Sequence, residues 1–176
     1  YWVNQTSLLG NKFMIMETYV QSTELVGSPL TFEGTVQENT LQGNGYVVFN
    51  VNNGPLIGQH QSLPANFGGA FTTDGITEDL VVLLDEGSDP DPSDGCEPVT
   101  NAADLAGKIA VIRRGVCEFG FKALVAQNAG AIGVVVVNNV EGPPILMGGG
   151  DFGDQVTIPV LMVSDVTGAA IIAELE

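Results

Sequence analysis

Residues 107–139 read GKIAVIRRGVCEFGFKALVAQNAGAIGVVVVNN, and this stretch decides the fold class of the chain. Within it, residues 109–112 and 132–138 are short apolar runs rich in β-branched side chains, a pattern that is typical of buried strands. Residues 119–129 lie between the two runs and have helical spacing. A helix that connects two strands of one sheet makes them parallel, with a right-handed crossover. The stretch is therefore predicted to be a βαβ unit.

The helix predicted at 119–129 carries local signals for its periodicity and for its end. Its periodic side chains are Phe121, Leu124, Val125 and Asn128. Gly130 follows and is predicted to end the helix, since glycine readily adopts the left-handed conformation that closes many helix C-termini. We expect this helix to lie on one face of the sheet.

The remaining chain divides into a β-rich first part and a second part that continues the βα alternation. Runs rich in strand-forming residues, separated by turn residues, occupy 13–20, 31–36, 46–51 and 80–84. After a Gly/Pro-rich loop at 141–153, a third strand is predicted at 157–163. Ser164 and Asp165 are placed to cap a final helix.

The charge of the chain is strongly acidic: 176 residues include 21 acidic and 5 basic side chains, for a net charge of -16. A chain of this length can build one globular domain with its own core. The acidic excess argues against binding to nucleic acid or to an anionic membrane surface, and no apolar run is long enough to cross a bilayer. Four of the five basic residues fall within 108–122. They predict either solvated charges on a helix and its loops or a small positive site that orients an acidic partner.

The chain begins at Tyr1 without a Met or a recognisable leader. We therefore expect it to be a piece of a larger protein.

Cys96 and Cys117 are the two cysteines, and they lie 21 positions apart. No Cys-x-x-Cys or Cys-x-x-His spacing accompanies them, so they would supply too few ligands for a structural zinc site. A disulfide is the favoured interpretation. It would stabilise the fold by about 3 kcal/mol and indicate an oxidising compartment. Two separate buried thiols in a cytosolic protein are the alternative.

The residues that hydrolytic enzymes need are scarce. His60 is the single histidine, and no Gly-x-Ser-x-Gly motif accompanies it, so the sequence argues against a self-contained catalytic triad. One histidine also falls short of the ligand set of a zinc peptidase. The sequence predicts a chain without catalytic residues and without a cofactor.

One acidic segment could be considered for calcium, because Asp89, Asp91 and Asp94 are closely spaced oxygen donors. The fit to a calcium loop is poor, since Asp94 comes one position late and Thr100 stands where a bidentate Glu is expected. An exposed acidic loop is the favoured interpretation, and calcium at these three residues is the weaker alternative.

From about residue 66 to its end the chain resembles the protease-associated (PA) domain family. The family pattern is a Cys, a Gly-Lys-Ile-Ala segment, an Arg-Gly-x-Cys-x-Phe segment followed by Lys, an Ala-Gly-Ala turn, a Val-rich strand ending in Asn, and Ile-Pro-Val. The matching residues here are Cys96, 107–110, Arg114, Gly115, Cys117, Phe119, Lys122, 129–131, 134–139 and 158–160. The resemblance covers about two thirds of the chain.

The resemblance implies a mixed, β-rich α/β fold: a β-sandwich or open barrel with a parallel βαβ unit and flanking helices. Residues 51–176 would form the PA domain, and residues 1–50 a β-rich extension or the edge of a neighbouring domain. PA domains accompany secreted subtilisin-like proteases, metallopeptidases and some receptors. The function implied is a non-catalytic, extracellular domain of a peptidase that covers its active site, selects substrates or binds proteins. A separate peptide-binding or sorting module without an attached peptidase is the alternative.

The resemblance also implies a contact surface for a protein or peptide: the peptidase domain of the same chain or its substrate. In receptor members of the family the Arg-Gly-x-Cys-x-Phe loop contacts a peptide, which would assign Arg114, Gly115, Val116, Glu118 and Phe119 to that surface. For Arg114 the alternative is an ion pair with a nearby carboxylate that fixes the turn. The loop 142–150 would add Ile145, Leu146 and Met147, unless it packs back onto the domain.

Overall fold

The strands of the βαβ unit lie in a barrel that closes on itself. The computed structural model describes residues 33–39, 46–72, 74–87 and 92–176. The strands within these residues are β1 Glu33–Asn39, β2 Tyr46–Val51, β3 Gly58–Pro64, β4 Thr77–Val82, β5 Ile109–Arg113, β6 Gly133–Val137 and β7 Val160–Val163. Their order around the barrel is β1-β2-β3-β7-β6-β5-β4, and β4 pairs again with β1.

Strand direction divides the barrel into two parts. β4, β5, β6 and β7 are parallel to one another, whereas β1, β2 and β3 join them through antiparallel pairs. β6 is buried along its whole length, as expected for a parallel strand that is covered on both faces. The predicted βαβ unit is therefore confirmed as β5, a helix and β6.

The helices are α1 Ala102–Leu105, α2 Phe119–Asn128 and α3 Asp165–Leu175, and a 3₁₀ helix spans Gly150–Gln155. Gly130 has a φ of 94° directly after α2, so it ends this helix as predicted. The Ser164 hydroxyl accepts a hydrogen bond from the Thr167 amide at 3.1 Å, which confirms the predicted cap of α3. None of the helices within the described part of the chain combines the length and the apolar content that a bilayer crossing requires.

Two apolar clusters lie on the two sides of the parallel strands, because successive side chains of a strand point to opposite faces. The inner cluster contains Val111, Val135 and Leu161 together with Phe49 of β2 and Ile171 of α3. The outer cluster lies under α2, and its main members are Ala110, Ile112, Val134, Val136, Met162, Ala123 and Ala126. The mixed α/β class with flanking helices is thus confirmed.

Three elements differ from the sequence expectation. β3 has the sequence GQHQSLP, which carries little strand signal, but it pairs with β2 on one side and β7 on the other. The loop predicted at 141–153 contains the start of the 3₁₀ helix, and α1 was not expected. The strand predicted at 13–20 lies outside the described residues. The predicted domain boundary after residue 50 falls within β2, which is part of the barrel.

Candidate protein-contact surface

The turn at residues 114–118 follows β5 and is anchored to β6 by a buried side chain. The Arg114 amide donates to the Val137 carbonyl at 2.8 Å, and Arg114 Nη1 donates to Asn138 Oδ1 at 2.9 Å. Asn138 also donates from Nδ2 to the Pro143 carbonyl at 3.1 Å and accepts from the Val140 amide at 3.3 Å. One buried amide therefore connects the turn after β5 with the loop after β6.

Arg114 makes its described contacts with uncharged groups. Besides the Asn138 amide, its guanidinium lies over the Phe119 ring at 6.0 Å from the ring centroid, a distance at which a cation is attracted to the ring face. The structure thus gives Arg114 an amide partner where an ion pair with a carboxylate was the alternative expectation. The positive charge of Arg114 therefore remains available to a partner at this partly exposed turn.

Glu118 and Phe119 connect the same turn to the 3₁₀ helix and to the core. Glu118 Oε2 accepts from the Asp151 amide at 3.0 Å. Phe119 is partly buried against the outer apolar cluster, as expected for an apolar anchor. Gly115 is exposed, but a Cβ at this position would lie 2.5 Å from Asp94 Oδ2, so the turn can approach Asp94 only with glycine here.

Beneath the turn lies a buried ion pair. Lys122 on α2 has no exposed area, and its Nζ lies 3.4 Å from Asp94 Oδ2 and 3.1 Å from Cys96 Sγ. Nζ also donates to the Asp94 carbonyl oxygen. Asp94 accepts from the Cys96 amide at 2.9 Å and from the Val116 amide at 3.4 Å. The ammonium and the amides compensate the desolvation of the carboxylate.

The predicted disulfide between Cys96 and Cys117 is present, with 5.8 Å between the Cα atoms. It ties the turn to the segment that holds Asp94. The burial of Lys122 and Asn138 was not predicted from the sequence. Their signals are weak: a Lys near the small residues Gly120 and Ala123 of α2, and an Asn at the end of a run of valines.

Carboxylates gather beside the ion pair: one oxygen of each of Asp85, Asp94 and Glu97 lies within 4.8 Å of the others. Asp85 Oδ2 accepts from the Gly95 amide at 2.7 Å. Asp85 and Asp94 are buried, so the expectation of an exposed acidic loop is wrong for Asp94. Asp89 and Asp91 of the calcium alternative lie outside the described residues. Asp85 and Asp94 both accept hydrogen bonds from backbone amides.

Most of the exposed large apolar side chains among the described residues lie at one end of the barrel. β2 and β4 are both antiparallel to β1, so they run in the same direction. β5, β6 and β7 are parallel to β4. The C-terminal ends of all five strands therefore lie on the same side of the barrel, which we call the exit end. Five such side chains, with exposed fractions from 40% to 84%, lie in the segments that follow these strands: Ile57, Leu84, Val116, Val140 and Val166. Exposed apolar groups that share one surface are typical of contact sites.

The loop after β6 has some side chains that face solvent and one that packs into the core. Ile145 and Leu146 are exposed, whereas Met147 has no exposed area and belongs to the outer apolar cluster. Met147 therefore anchors the loop from below and is not part of the exposed surface. The Met147 carbonyl also accepts from the Asn66 amide at 3.1 Å.

The other titratable residues singled out by sequence have structural partners. His60 lies on β3, with Nε2 2.8 Å from the Leu56 carbonyl oxygen. Lys108 precedes β5, at the end of the barrel opposite the exit end, and donates to Asp79 at 2.8 Å and to Glu78 at 3.1 Å. These hydrogen bonds, the one to Asp79 first, raise the pKa of Lys108 above its ordinary value of 10.5.

A groove of about 400 Å³ lies next to Met147, whose carbonyl accepts from the amide of the lining residue Asn66. It is lined by Val47 and by residues 64–71, which follow β3. Phe67 and Phe71 supply its aromatic side chains.

Known proteins resemble this chain over different parts of its length. The human protein named ER degradation-enhancing alpha-mannosidase-like protein 3 is 41% identical over 88 residues, which is 46% of this chain and 9% of that protein. The Arabidopsis thaliana protein named receptor homology region, transmembrane domain- and RING domain-containing protein 1 is 36% identical over 112 residues, which is 60% of this chain and 34% of that protein. This chain therefore spans at most about a third of either relative.

A solved structure shares the fold. The zinc aminopeptidase from Bacillus subtilis superposes on 81% of this chain with a TM-score of 0.51 and 26% sequence identity, and the matched part is 28% of that protein. The model of the PA domain family matches residues 76–171, which is more than half of the chain and includes β5, α2, β6, β7 and most of α3. The chain belongs to the PA domain family.

Proposed function

We propose that this chain is the non-catalytic PA domain of a secreted peptidase and that its exit end contacts polypeptide chains. The observation that carries the proposal is the set of exposed apolar side chains in the segments at the exit end, where Arg114 also lies with its charge in contact with neutral groups. An apolar surface with one available cation suits a peptide that offers apolar side chains and a carboxylate.

The contact residues of this proposal are Arg114, Gly115, Val116, Glu118, Phe119, Ile145 and Leu146. Val116 is the most exposed large apolar side chain of the described residues, at 84%. Asn138 fixes the two segments relative to each other, so the surface is formed before a partner binds. Such preorganisation lowers the entropy cost of binding.

The attached catalytic domain is proposed to be a metallopeptidase of the aminopeptidase type, in preference to a subtilisin-like protease. The support is the match of this chain to a part of a zinc aminopeptidase, with 81% of this chain aligned. The extracellular or secretory location is supported by the disulfide, because such bonds persist in oxidising compartments.

A receptor-type module without a peptidase is the second candidate. It is favoured by the 36% identity over 112 residues to a protein whose name contains a receptor homology region. The sequence that flanks residues 1–176 in the parent protein separates the candidates: a peptidase domain supports the first, and a membrane anchor without a peptidase supports the second.

Binding of peptides to the chain tests the contact surface. We would screen an array of short peptides and then compare R114Q, V116S and L146S with the unchanged protein. Each substitution is expected to weaken binding about tenfold or more, the usual cost of losing a central contact. The matched control is K108Q, which removes a charge from the opposite end of β5 and should leave affinity unchanged. Equal affinities for all four variants would contradict the proposed surface.

Hydrolysis assays test the non-catalytic role. Aminoacyl nitroanilides and casein should not be turned over by the chain, with or without added zinc. Turnover that a single substitution within the chain abolishes would contradict it.

A further inference from the structure

The two sulfurs of the disulfide lie in different surroundings. Cys117 belongs to the turn at the exit end, where its neighbour Val116 is 84% exposed and Glu118 is also exposed. Cys96 directly follows two buried residues, Asp94 and Gly95, although Cys96 and Cys117 are themselves both half-buried. The segment around Cys117 is therefore the more exposed approach to the bond, and the groups that surround each sulfur decide which one is attacked.

Hydrogen-bond donors surround Cys96 Sγ. The buried Lys122 Nζ lies 3.1 Å from it, and the Cys117 backbone amide lies 3.1 Å from it. A positive charge and an amide donor at this distance stabilise negative charge on sulfur. Cys96 Sγ is thus the better leaving group of the two sulfurs, because these donors stabilise its thiolate.

The Asp94 carboxylate also touches this sulfur, with Oδ2 3.2 Å from Cys96 Sγ. It opposes a permanent thiolate, but it would accept a hydrogen bond from Cys96 once that sulfur is protonated. The same pocket therefore offers donors to the departing thiolate and an acceptor to the thiol that forms from it.

We propose that the Cys96–Cys117 bridge is a thiol–disulfide exchange site that external thiols attack at Cys117. The thiolate of the partner forms a bond with Cys117 Sγ, the bond between the two cysteines breaks, and its electron pair passes to Cys96 Sγ. Cys96 then takes a proton from solvent. With a dithiol, the second thiolate attacks its own half of the mixed disulfide, so that Cys117 leaves, the dithiol is oxidised and the protein gains two electrons.

The partner class is a small thiol such as glutathione or a protein with a dithiol. Reduction would release Cys117 from the segment that holds Asp94, while the Arg114–Asn138 hydrogen bond still holds the base of the turn. The proposal does not depend on which polypeptide binds at the exit end.

The direction of attack can be read directly from the unchanged protein. The oxidised protein is incubated briefly with reduced glutathione, acidified, blocked with N-ethylmaleimide and digested for mass spectrometry. We expect glutathione on Cys117 and the maleimide on Cys96, in excess over the reverse by about tenfold, the minimum effect of a charge-assisted hydrogen bond on the leaving sulfur. Equal amounts of both products, or an excess of glutathione on Cys96, would overturn the proposal.

The role of the ammonium is tested by the rate of reduction with dithiothreitol. K122M is expected to slow reduction about tenfold, whereas K108M, which removes a partly exposed ammonium at the other end of β5, should react at the rate of the unchanged protein. An unchanged rate in a folded K122M would refute the role of Lys122. Since the glutathione experiment needs no variant, it decides the direction of attack even if K122M does not fold. Reduction that occurs only in urea above the unfolding midpoint would overturn the proposal as a whole.

Discussion

The Lys122 ammonium lies 3.4 Å from the Asp94 carboxylate at a site where the two side chains are 0% and 1% exposed. This pair joins α2 to the segment before Cys96, and it lies directly beneath the exposed turn. Burial makes such a pair costly to break, because the partner that remains is a desolvated, uncompensated charge.

The first prediction concerns this pair. K122M should lower the free energy of unfolding by about 3–5 kcal/mol, because Asp94 would lose its buried counter-charge. The measurement is urea unfolding followed by circular dichroism. The double variant K122M/D94N should be more stable than K122M, since it removes the orphaned charge as well. If the double variant lost the sum of the two single effects, the two residues would not interact as described.

The second prediction concerns the disulfide. Removing it in C96A/C117A should cost about 3 kcal/mol of unfolding free energy in the chain-entropy account, because the unfolded chain gains freedom. A thiol titration of the denatured, unreduced protein should find no free thiol. Two reactive thiols in that titration would contradict the bridge.

The third prediction concerns the contact between α2 and the loop before the 3₁₀ helix. A Cβ at Gly120 would lie 2.0 Å from the Gly149 carbonyl oxygen. G120A should therefore cost about 1–3 kcal/mol, although alanine favours a helix by about 1 kcal/mol over glycine. The control is G148A, where a Cβ meets nothing within 4 Å. Its unfolding midpoint in urea should stay close to that of the unchanged protein, and equal losses in both variants would argue against the tight contact.

The fourth prediction concerns Asn138. N138A should lower stability by about 1–3 kcal/mol, because Arg114 and the loop after β6 lose a shared buried partner. Hydrogen exchange at the Val140 amide should accelerate in N138A. The neighbouring Asn139 is exposed, so N139A should change neither quantity. Unchanged exchange in N138A would show that the loop is held by other contacts.

The fifth prediction concerns pH. Because Asp79 and Glu78 raise the pKa of Lys108, the stability it contributes is complete below its ordinary value of 10.5 and is lost as the pH rises through the higher value of the folded protein. The unchanged protein should therefore exceed K108Q in unfolding free energy at neutral pH, and the difference should shrink above 10.5. A difference that stays constant with pH would contradict this sign. The effect is small, since these three side chains are partly exposed and solvent screens their charges.

The sequence predicted the parts of the fold that local patterns encode. β2 spans the six residues that the strand pattern indicated, and β5, α2 and β6 lie within a few residues of their predicted bounds. The helical period was right, and Leu124 and Val125 pack against the outer apolar cluster while staying partly exposed. The fully buried residues of α2 are others: Gly120, Lys122, Ala123 and Ala126. A close helix contact selects small side chains, which hydrophobic periodicity does not detect.

The candidate surface was predicted from sequence only in part. The turn residues were identified through the family resemblance, and Ile145 and Leu146 are exposed as expected of a contact loop. Met147 carries the same apolar signal as its neighbours but packs into the core. Which side of a loop faces inward depends on the strand beneath it, and here Met162 of β7 and Met147 share one cluster.

The amino-acid sequence alone determined the βαβ unit, the end of α2 at Gly130 and the cap of α3 at Ser164, and it favoured the pairing of the cysteines, because periodicity, conformational preference and cysteine number are properties of short segments or of composition. Tertiary structure alone decided that the polar β3 completes the barrel and that Lys122 is buried beside Cys96. Those outcomes depend on contacts between residues far apart in the chain, such as the 26 positions between Lys122 and Cys96. A hydrogen-bond ladder needs a partner strand rather than a particular composition, and a buried charge needs a counter-charge supplied from elsewhere in the fold.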